Sequence, residues 1–146
     1  MMNRRAISTW QGSGLEGKGQ LTVTSGVLNE TPYSFKMRFE DEEGRSGTNP
    51  EELLAASHAG CFNMALSFQL VGAGYEAEML ETKCTVTLEN VGGNDFGVTK
   101  IVLDLQAKVP GLDNDKFMEL ANNAKNGCPI SKALSSVDIQ MNAVLK

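Results

Sequence analysis

Apolar and polar residues alternate along four stretches of the chain, a period of two that is typical of β-strands with one buried face. The alternating apolar positions are Tyr33, Phe35, Met37 and Phe39; Cys84, Val86 and Leu88; Ile101, Leu103, Leu105, Ala107 and Val109; and Val137, Ile139, Met141, Ala143 and Leu145. A weaker pattern at Leu21 and Val23 predicts another strand, paired with residues 5–10. The turn sequence Gly-Gly-Asn-Asp at residues 92–95 predicts a β-hairpin over residues 79–109.

Helical signals interrupt this pattern in two regions. Asn49, Pro50 and Glu52 have the order of an N-cap, a first-turn proline and a capping-box acid, which predicts a helix that runs to about Val71. Apolar residues at helical spacing predict a second helix that ends at Gly127: Phe117, Leu120, Ala121 and Ala124. Pro129 then suits the first turn of a short third helix.

The predicted element order is βββ-α-ββ-αα-β, an α+β fold in which a mostly antiparallel curved sheet packs on a long buried central helix. A chain of 146 residues has the ordinary length of one domain, so a single domain over residues 1–146 is expected. Apolar residues surround the axis of the first helix, and a helix of that kind must be covered on all sides. One sheet covers one side only, so we expect a second copy of the chain and a two-fold homodimer.

Charge and composition narrow the possible partners. The net charge is −5 and no run of lysine or arginine occurs, which argues against nucleic acid or an anionic membrane as the main partner. Residues 53–75 contain no charged side chain, but they include polar residues and three glycines, so a helix buried in protein is favoured over a membrane span. Residues 1–14 lack the apolar core of a secretory signal, and three cysteines do not form a secreted disulfide framework, so a cytoplasmic protein is expected.

The three cysteines differ in their predicted surroundings. Cys84 lies on the apolar face of a strand, where cysteines are usually inert small hydrophobes. Cys128 precedes Pro129 at the predicted N-cap of the short helix, where backbone N–H groups favour a thiolate. Cys61 lies mid-helix in an uncharged segment, so it requires a nearby cation to be reactive, because burial alone raises the pKa of a thiol.

His58 lies three residues before Cys61 and opens an alternative, a Cys–His pair for acyl transfer. Two such residues on one helix have poor geometry for proton transfer, so an interior structural histidine is favoured. The single histidine and the dispersed cysteines do not form a zinc-binding pattern, and no glycine-rich phosphate loop follows a strand. No metal or other cofactor is expected.

Two long motifs resemble the OsmC/Ohr family, the osmotically inducible protein C and organic hydroperoxide resistance proteins. They are residues 47–62, Gly-Thr-Asn-Pro-Glu-Glu-Leu-Leu-Ala-Ala-Ser-His-Ala-Gly-Cys-Phe, and residues 127–131, Gly-Cys-Pro-Ile-Ser. Shorter segments agree with the same family, namely Ser-Gly-Val-Leu-Asn at residues 25–29 and Val-Pro-Gly at residues 109–111. The resemblance covers essentially the whole chain, and its details are nearer to the OsmC branch.

The resemblance implies a two-cysteine peroxidase that reduces organic hydroperoxides and acts as an intertwined dimer. By position, Cys61 resembles the peroxidatic cysteine and Cys128 the resolving cysteine of the family. Arg38 matches the arginine that holds the thiolate, and Glu51 matches the glutamate paired with it. An external dithiol, of the lipoyl type in the family, is expected to reduce the Cys61–Cys128 disulfide. From the sequence alone, Arg38 as a solvated charge and Glu51 as an ordinary first-turn residue stay open.

Helix geometry suggests that the active site is shared between two chains. Glu51 and Cys61 are ten residues apart, which is about 15 Å along a straight helix. Two central helices that cross antiparallel near Ala56 would bring Glu51 of one chain towards Cys61 of the other. Arg38, expected on the polar face of a strand, also suits a role across an interface. The alternatives to a peroxidase are a non-enzymatic redox sensor or binding protein, which uses the same disulfide as a switch, and the Cys61–His58 hydrolase.

Overall fold

The strands and helices follow one another as predicted, with one additional helix. The structure is a computed structural model that describes residues 1–146, and its residues cluster into two compact units, Met1–Leu53 and Leu54–Lys146. The elements are β1 (Ala6–Gln11), β2 (Lys18–Val23), β3 (Thr31–Tyr33), α1 (Phe35–Phe39), α2 (Pro50–Gly72), β4 (Met79–Gly92), β5 (Asp95–Lys108), α3 (Asn114–Gly127), α4 (Pro129–Ala133) and β6 (Asp138–Leu145). The α+β class is therefore confirmed, whereas the organisation as a single domain stays a prediction.

The first unit contains a three-stranded antiparallel sheet in the order β1-β2-β3. The pairing of β1 with β2 is confirmed, with Ala6 opposite Val23 and Gln11 opposite Lys18. The rings of Trp10 and Tyr33 lie 5.4 Å apart on this sheet. Gly19 lies beside both rings, since a Cβ there would come within 2.4 Å of the Tyr33 ring. A side chain at position 19 would therefore displace this aromatic pair.

The strand predicted from Tyr33 to Phe39 is wrong, because β3 ends at Tyr33 and a helix follows. Ser34 is the N-cap of α1, and its hydroxyl accepts a hydrogen bond from the N–H of Met37 at 3.2 Å. The rings of Phe35 and Phe39 then lie one helical turn apart, with centroids 4.9 Å from each other. A spacing of two residues between apolar positions fits a strand, but Phe35 and Phe39 also have the i, i+4 spacing of a helix. The serine cap and this ring contact favour the helix, so Arg38 lies on α1 and not on a strand.

The second unit contains a separate three-stranded sheet in the order β4-β5-β6, so the prediction of one curved sheet is also wrong. The predicted hairpin is confirmed by the antiparallel pairing of β4 with β5. β6 pairs with β5 in parallel, with Ile101 opposite Ile139 and Leu105 opposite Ala143. A parallel pair requires a crossover connection. The crossover here consists of α3 and α4, and it sets the position of Cys128.

The hydrophobic core of the second unit is formed by one face each of α2, β5 and α3. Its buried members are Phe62, Leu66, Leu70, Leu103, Leu105, Ala107, Val109, Leu112, Phe117, Leu120, Ala121 and Ala124. A polar contact fixes α2 against β4, because Asn63 donates to the carbonyl oxygen of Leu80 and accepts at 2.6 Å from the hydroxyl of Thr82. The position of Cys61 is thereby held next to this anchored turn of α2.

Within the single chain the central helix is buried along one stripe, and its cover on the other sides by a second copy stays a prediction. The stripe consists of His58, Phe62, Leu66 and Leu70, at a spacing of four residues. The opposite side leaves Met64, Phe68 and Val71 64%, 73% and 64% exposed. None of the helices has the length and hydropathy required to cross a membrane.

Candidate active site

Two of the predicted site residues, Cys61 and Cys128, meet in the second unit. Their sulfur atoms lie 2.8 Å apart and share an S–H···S hydrogen bond, although 67 residues separate them in the sequence. Both thiols are free, and a disulfide would need the sulfurs to approach by only about 0.8 Å. The pair can therefore form a disulfide with little movement of the two helices.

Cys128 is placed at the junction of two helices. Its N–H donates to the carbonyl of Ala124 at 2.9 Å and ends α3, while its own carbonyl accepts from Lys132 at 3.0 Å and begins α4. Pro129 occupies the first turn of α4, as predicted, because a proline there loses no helical hydrogen bond. The side chain of Cys128 is fully buried. A short helix with both ends defined thus fixes the direction of this thiol.

The two sulfurs differ in acidity. Burial and the hydrogen bond with Cys128 raise the pKa of the Cys61 thiol, and the N–H of Ile130 offsets this only in part. Burial also raises the pKa of Cys128, but its hydrogen bond with Cys61 and those from the N–H and hydroxyl of Ser131 and the N–H of Ile130 outweigh this effect, so the pKa lies below that of an ordinary thiol. The second unit by itself therefore favours negative charge on Cys128. It does not activate Cys61.

His58 is not paired with Cys61. The ring is fully buried, its Nε2 lies 2.7 Å from the hydroxyl oxygen of Ser131, and its Nδ1 has no hydrogen-bond partner. Burial lowers the pKa of His58, so the ring is neutral near pH 7. This arrangement agrees with the interior histidine expected from the sequence and provides no Cys–His couple for acyl transfer.

Arg38 and Glu51 form an ion pair in the first unit. Arg38 Nη2 lies 2.6 Å from Glu51 Oε1 and Nε lies 3.1 Å from Oε2, which is the two-pronged geometry that arginine favours with carboxylates. Glu51 lies in the first turn of α2. The N-cap of this helix is Asn49, as predicted, because the side-chain oxygen of Asn49 accepts a hydrogen bond from the N–H of Glu52 at 2.8 Å. The Arg38 side chain is 36% exposed, and its guanidinium carbon lies over the Phe39 ring, 5.0 Å from the ring centroid.

Gly47 allows the segment before α2 to approach α1. A Cβ at this position would lie 2.6 Å from the sulfur of Met37, which is closer than such atoms come in proteins. A larger residue would therefore require the Met37 side chain to move. The glycine that opens the first motif thus makes room for the Met37 side chain.

Ser131 is a site residue that the sequence analysis did not single out. Ser131 is three residues after Cys128, the N-cap of α4. A capping side chain lies near the backbone N–H groups two or three residues later, so this spacing was the signal that could have identified Ser131. Cys84 lies on a strand, as predicted. It is half-buried on β4, and burial raises its pKa to about 11.

Comparison with known proteins identifies the family. Residues 41–142 match the family described as OsmC-like protein. The chain belongs to the OsmC-like family. It is 42% identical over 135 residues to the peroxiredoxin OsmC of Escherichia coli (strain K12), which covers 92% of each chain. The resemblance inferred from the two motifs is confirmed.

A second relative of this OsmC-like chain is the organic hydroperoxide resistance protein OhrB of Bacillus subtilis (strain 168). The two are 36% identical over 127 residues, which cover 84% of this chain and 87% of OhrB. The crystal structure of OhrB superposes with a TM-score of 0.70 at 30% identity, over 96% of this chain and 98% of OhrB. The higher identity to OsmC agrees with the predicted position nearer to the OsmC branch.

The pKa of Cys84 leads to a prediction about stability at high pH. Because folding raises this pKa from an ordinary value of about 8.5 to about 11, the folded state favours the neutral thiol. The resulting stability is complete below about pH 8.5 and is lost as the pH rises towards 11. The free energy of unfolding, measured with urea on the reduced protein, should therefore fall more between about pH 7.5 and about pH 10.5 in the wild type than in Cys84→Ala. Equal losses in the two proteins would contradict this assignment.

Proposed function

We propose that this OsmC-like chain is a thiol-dependent peroxidase that reduces organic hydroperoxides, and hydrogen peroxide more weakly. The observation that carries the proposal is the pair of free thiols whose sulfurs lie 2.8 Å apart, of which Cys128 is fully buried, Cys61 is partly buried and Cys128 is the more acidic. The relatives named peroxiredoxin OsmC and organic hydroperoxide resistance protein support the same chemistry.

In the proposed cycle, the Cys61 thiolate attacks the terminal oxygen of the peroxide. The O–O bond breaks, an S–O bond forms, and the alkoxide takes a proton and leaves as an alcohol, so that Cys61 becomes a sulfenic acid. The Cys128 thiolate then attacks the Cys61 sulfur, and the sulfenic oxygen leaves as water when the disulfide forms. An external dithiol, of the lipoyl type by family resemblance, restores both thiols through thiol–disulfide exchange.

Cys61 is assigned the first role because it is the more accessible sulfur. Cys128 is fully buried, whereas Cys61 is only partly buried. An incoming peroxide can therefore reach Cys61 first, and the charge favoured on Cys128 suits the attack on the sulfenic acid.

The Cys61 thiolate requires a cation, and we assign this role to Arg38. The groups of the second unit raise the pKa of Cys61, so that its activation has to come from elsewhere. A guanidinium near a thiol favours the thiolate. The bidentate contact with Glu51 orients the guanidinium, and the Arg38 side chain is 36% exposed.

A homodimer is also proposed. Met64, Phe68 and Val71 lie on one face of α2 at a spacing of four and three residues, and all are more than half exposed. Adjacent exposed apolar side chains of this size are typical of a protein–protein interface. The cycle requires thiols that an external dithiol reduces again, which supports a location in the reducing cytoplasm.

The hydrolase alternative is disfavoured, because the Nε2 of His58 is bonded to Ser131 and no hydrogen bond joins His58 to Cys61. A redox sensor that uses the same disulfide would react once with peroxide and would not turn over. Steady consumption of peroxide with excess dithiol therefore separates the enzyme from the sensor.

The principal test is a peroxide-consumption assay with an alkyl hydroperoxide and dihydrolipoamide. Cys61→Ser should abolish turnover, because the attacking sulfur is absent. Cys128→Ser should react once and accumulate Cys61 sulfenic and then sulfinic acid, which mass spectrometry detects. Cys84→Ser is the matched control and should keep wild-type activity, and hydrogen peroxide should give a lower kcat/KM. Full turnover by Cys61→Ser would overturn the proposal.

The role of Arg38 can be tested through the pH dependence of Cys61 oxidation. Arg38→Met removes the charge, so the rate of the first oxidation step at neutral pH should fall by about tenfold or more, and its inflection should move to higher pH. Glu51→Gln should have a smaller effect in the same direction, because it disturbs only the orientation of the guanidinium. Arg45→Met removes an exposed arginine that is paired with Glu43 and serves as the control. An unchanged pH profile in Arg38→Met would exclude this role.

The dimer can be tested by placing a charge on the exposed face of α2. Phe68→Asp should convert the protein to a monomer of 15.7 kDa in sedimentation equilibrium, because a carboxylate is costly to bury in an apolar interface. Val91→Asp, at the tip of the β4–β5 hairpin, is the control and should leave the association state unchanged. Monomeric wild-type protein across micromolar concentrations would contradict the proposal.

A further inference from the structure

A second polar contact accompanies the pair of thiols, and the proposed cycle leaves it unused. The Nε2 of His58 and the hydroxyl oxygen of Ser131 lie 2.7 Å apart. Both residues are buried, with 0% and 6% of their surfaces exposed. A buried polar group without a hydrogen-bond partner costs free energy, so this contact holds the two side chains together.

The contact of His58 with Ser131 and the contact of Cys61 with Cys128 both join α2 to the start of α4. His58 precedes Cys61 by three residues on α2, and Ser131 follows Cys128 by three residues around the start of α4. Residues three apart on a helix share a face. The contact between His58 and Ser131 therefore lies one helical turn from the contact between Cys61 and Cys128. The sulfur contact changes at every step of the cycle, whereas the contact between imidazole and hydroxyl involves no reacting atom.

The protonation of His58 follows from its surroundings. If the ring proton were on Nδ1, an N–H donor would be buried without a partner, which is rarer in proteins than an unpaired acceptor. With the proton on Nε2, His58 donates to the oxygen of Ser131. The hydroxyl proton of Ser131 is then free to face the sulfur of Cys128, whose thiolate this hydroxyl favours.

We propose that His58 and Ser131 are a positioning pair for the resolving step, in which His58 orients the Ser131 hydroxyl and this hydroxyl directs the Cys128 thiolate at the Cys61 sulfenic acid. The inference rests on the proposed peroxidase function and deepens it. In this step the Cys128 sulfur forms the S–S bond, the S–O bond of Cys61 breaks, and the departing hydroxide takes up a proton to leave as water. His58 and Ser131 exchange no electrons and are unchanged at the end.

The pair should affect the second step of the cycle and not the first. Reduced protein is mixed with one equivalent of an alkyl hydroperoxide, and sulfenic acid and disulfide are followed separately by dimedone trapping and mass spectrometry. In Ser131→Ala and His58→Leu, the loss of the Cys61 thiol should keep its wild-type rate. The conversion of sulfenic acid to disulfide should slow by about tenfold, the effect expected for losing one buried hydrogen bond at the reacting sulfur. More Cys61 should then proceed to sulfinic acid.

Conservative variants separate positioning from a general loss of structure. Ser131→Thr keeps the hydroxyl and His58→Gln keeps a donor near the position of Nε2, so each should restore most of the rate of disulfide formation. Ser135→Ala removes an exposed serine just beyond α4 and should behave as the wild type. Thermal unfolding of each variant identifies any that fail to fold.

The outcomes distinguish this inference from the proposed function. Wild-type protein that forms no sulfenic acid with peroxide would refute the peroxidase itself. Wild-type oxidation with an unchanged rate of disulfide formation in folded Ser131→Ala and His58→Leu would overturn the positioning pair alone. Equal slowing of both steps, or no rescue by Ser131→Thr and His58→Gln, would also overturn it, because a directed hydroxyl predicts neither result.

Discussion

Negative charge on a buried sulfur is the constraint on which the rest of this site depends. Burial disfavours a thiolate unless nearby donors or a cation compensate for the lost solvation. Two sulfurs 2.8 Å apart cannot both carry that charge, so the surroundings determine which of them does. At Cys128 the N–H groups of Ile130 and Ser131 and the Ser131 hydroxyl favour the charge. At Cys61 the balance is opposite, and burial raises the pKa.

This asymmetry divides the proposed chemistry between the two cysteines. The resolving thiol is prepared by groups of its own unit, whereas the surroundings of the attacking thiol raise its pKa. For the attacking thiol we therefore proposed a cation, the Arg38 guanidinium that Glu51 holds by two hydrogen bonds. The third cysteine shows the uncompensated case, since burial without any donor raises the pKa of Cys84 to about 11.

The fold brings the sulfurs together through one topological feature, the parallel pairing of β6 with β5. That pairing requires a crossover, and the crossover contains the junction of α3 and α4 at which Cys128 lies. On the other side, the stripe of α2 that includes His58 and Phe62 is buried, and Asn63 fixes its register against β4. The same helix leaves Met64, Phe68 and Val71 uncovered, so the element that carries Cys61 also carries the apolar face available to a second chain.

The sequence by itself determined the features that depend on local patterns. Alternation located β2, β4, β5 and β6, and β1 was predicted as the partner of β2. Caps, glycines and apolar residues at helical spacing located α2, α3 and α4, and two motifs indicated the family and both cysteines. Alternation failed at residues 35–39, where the cap at Ser34 and the contact of Phe35 with Phe39 decided for a helix. Tertiary structure alone decided the 2.8 Å approach of two sulfurs 67 residues apart, the division into two sheets, and the contact of His58 with Ser131. Such contacts depend on how distant elements pack, and no pattern within a few residues of the chain contains that information.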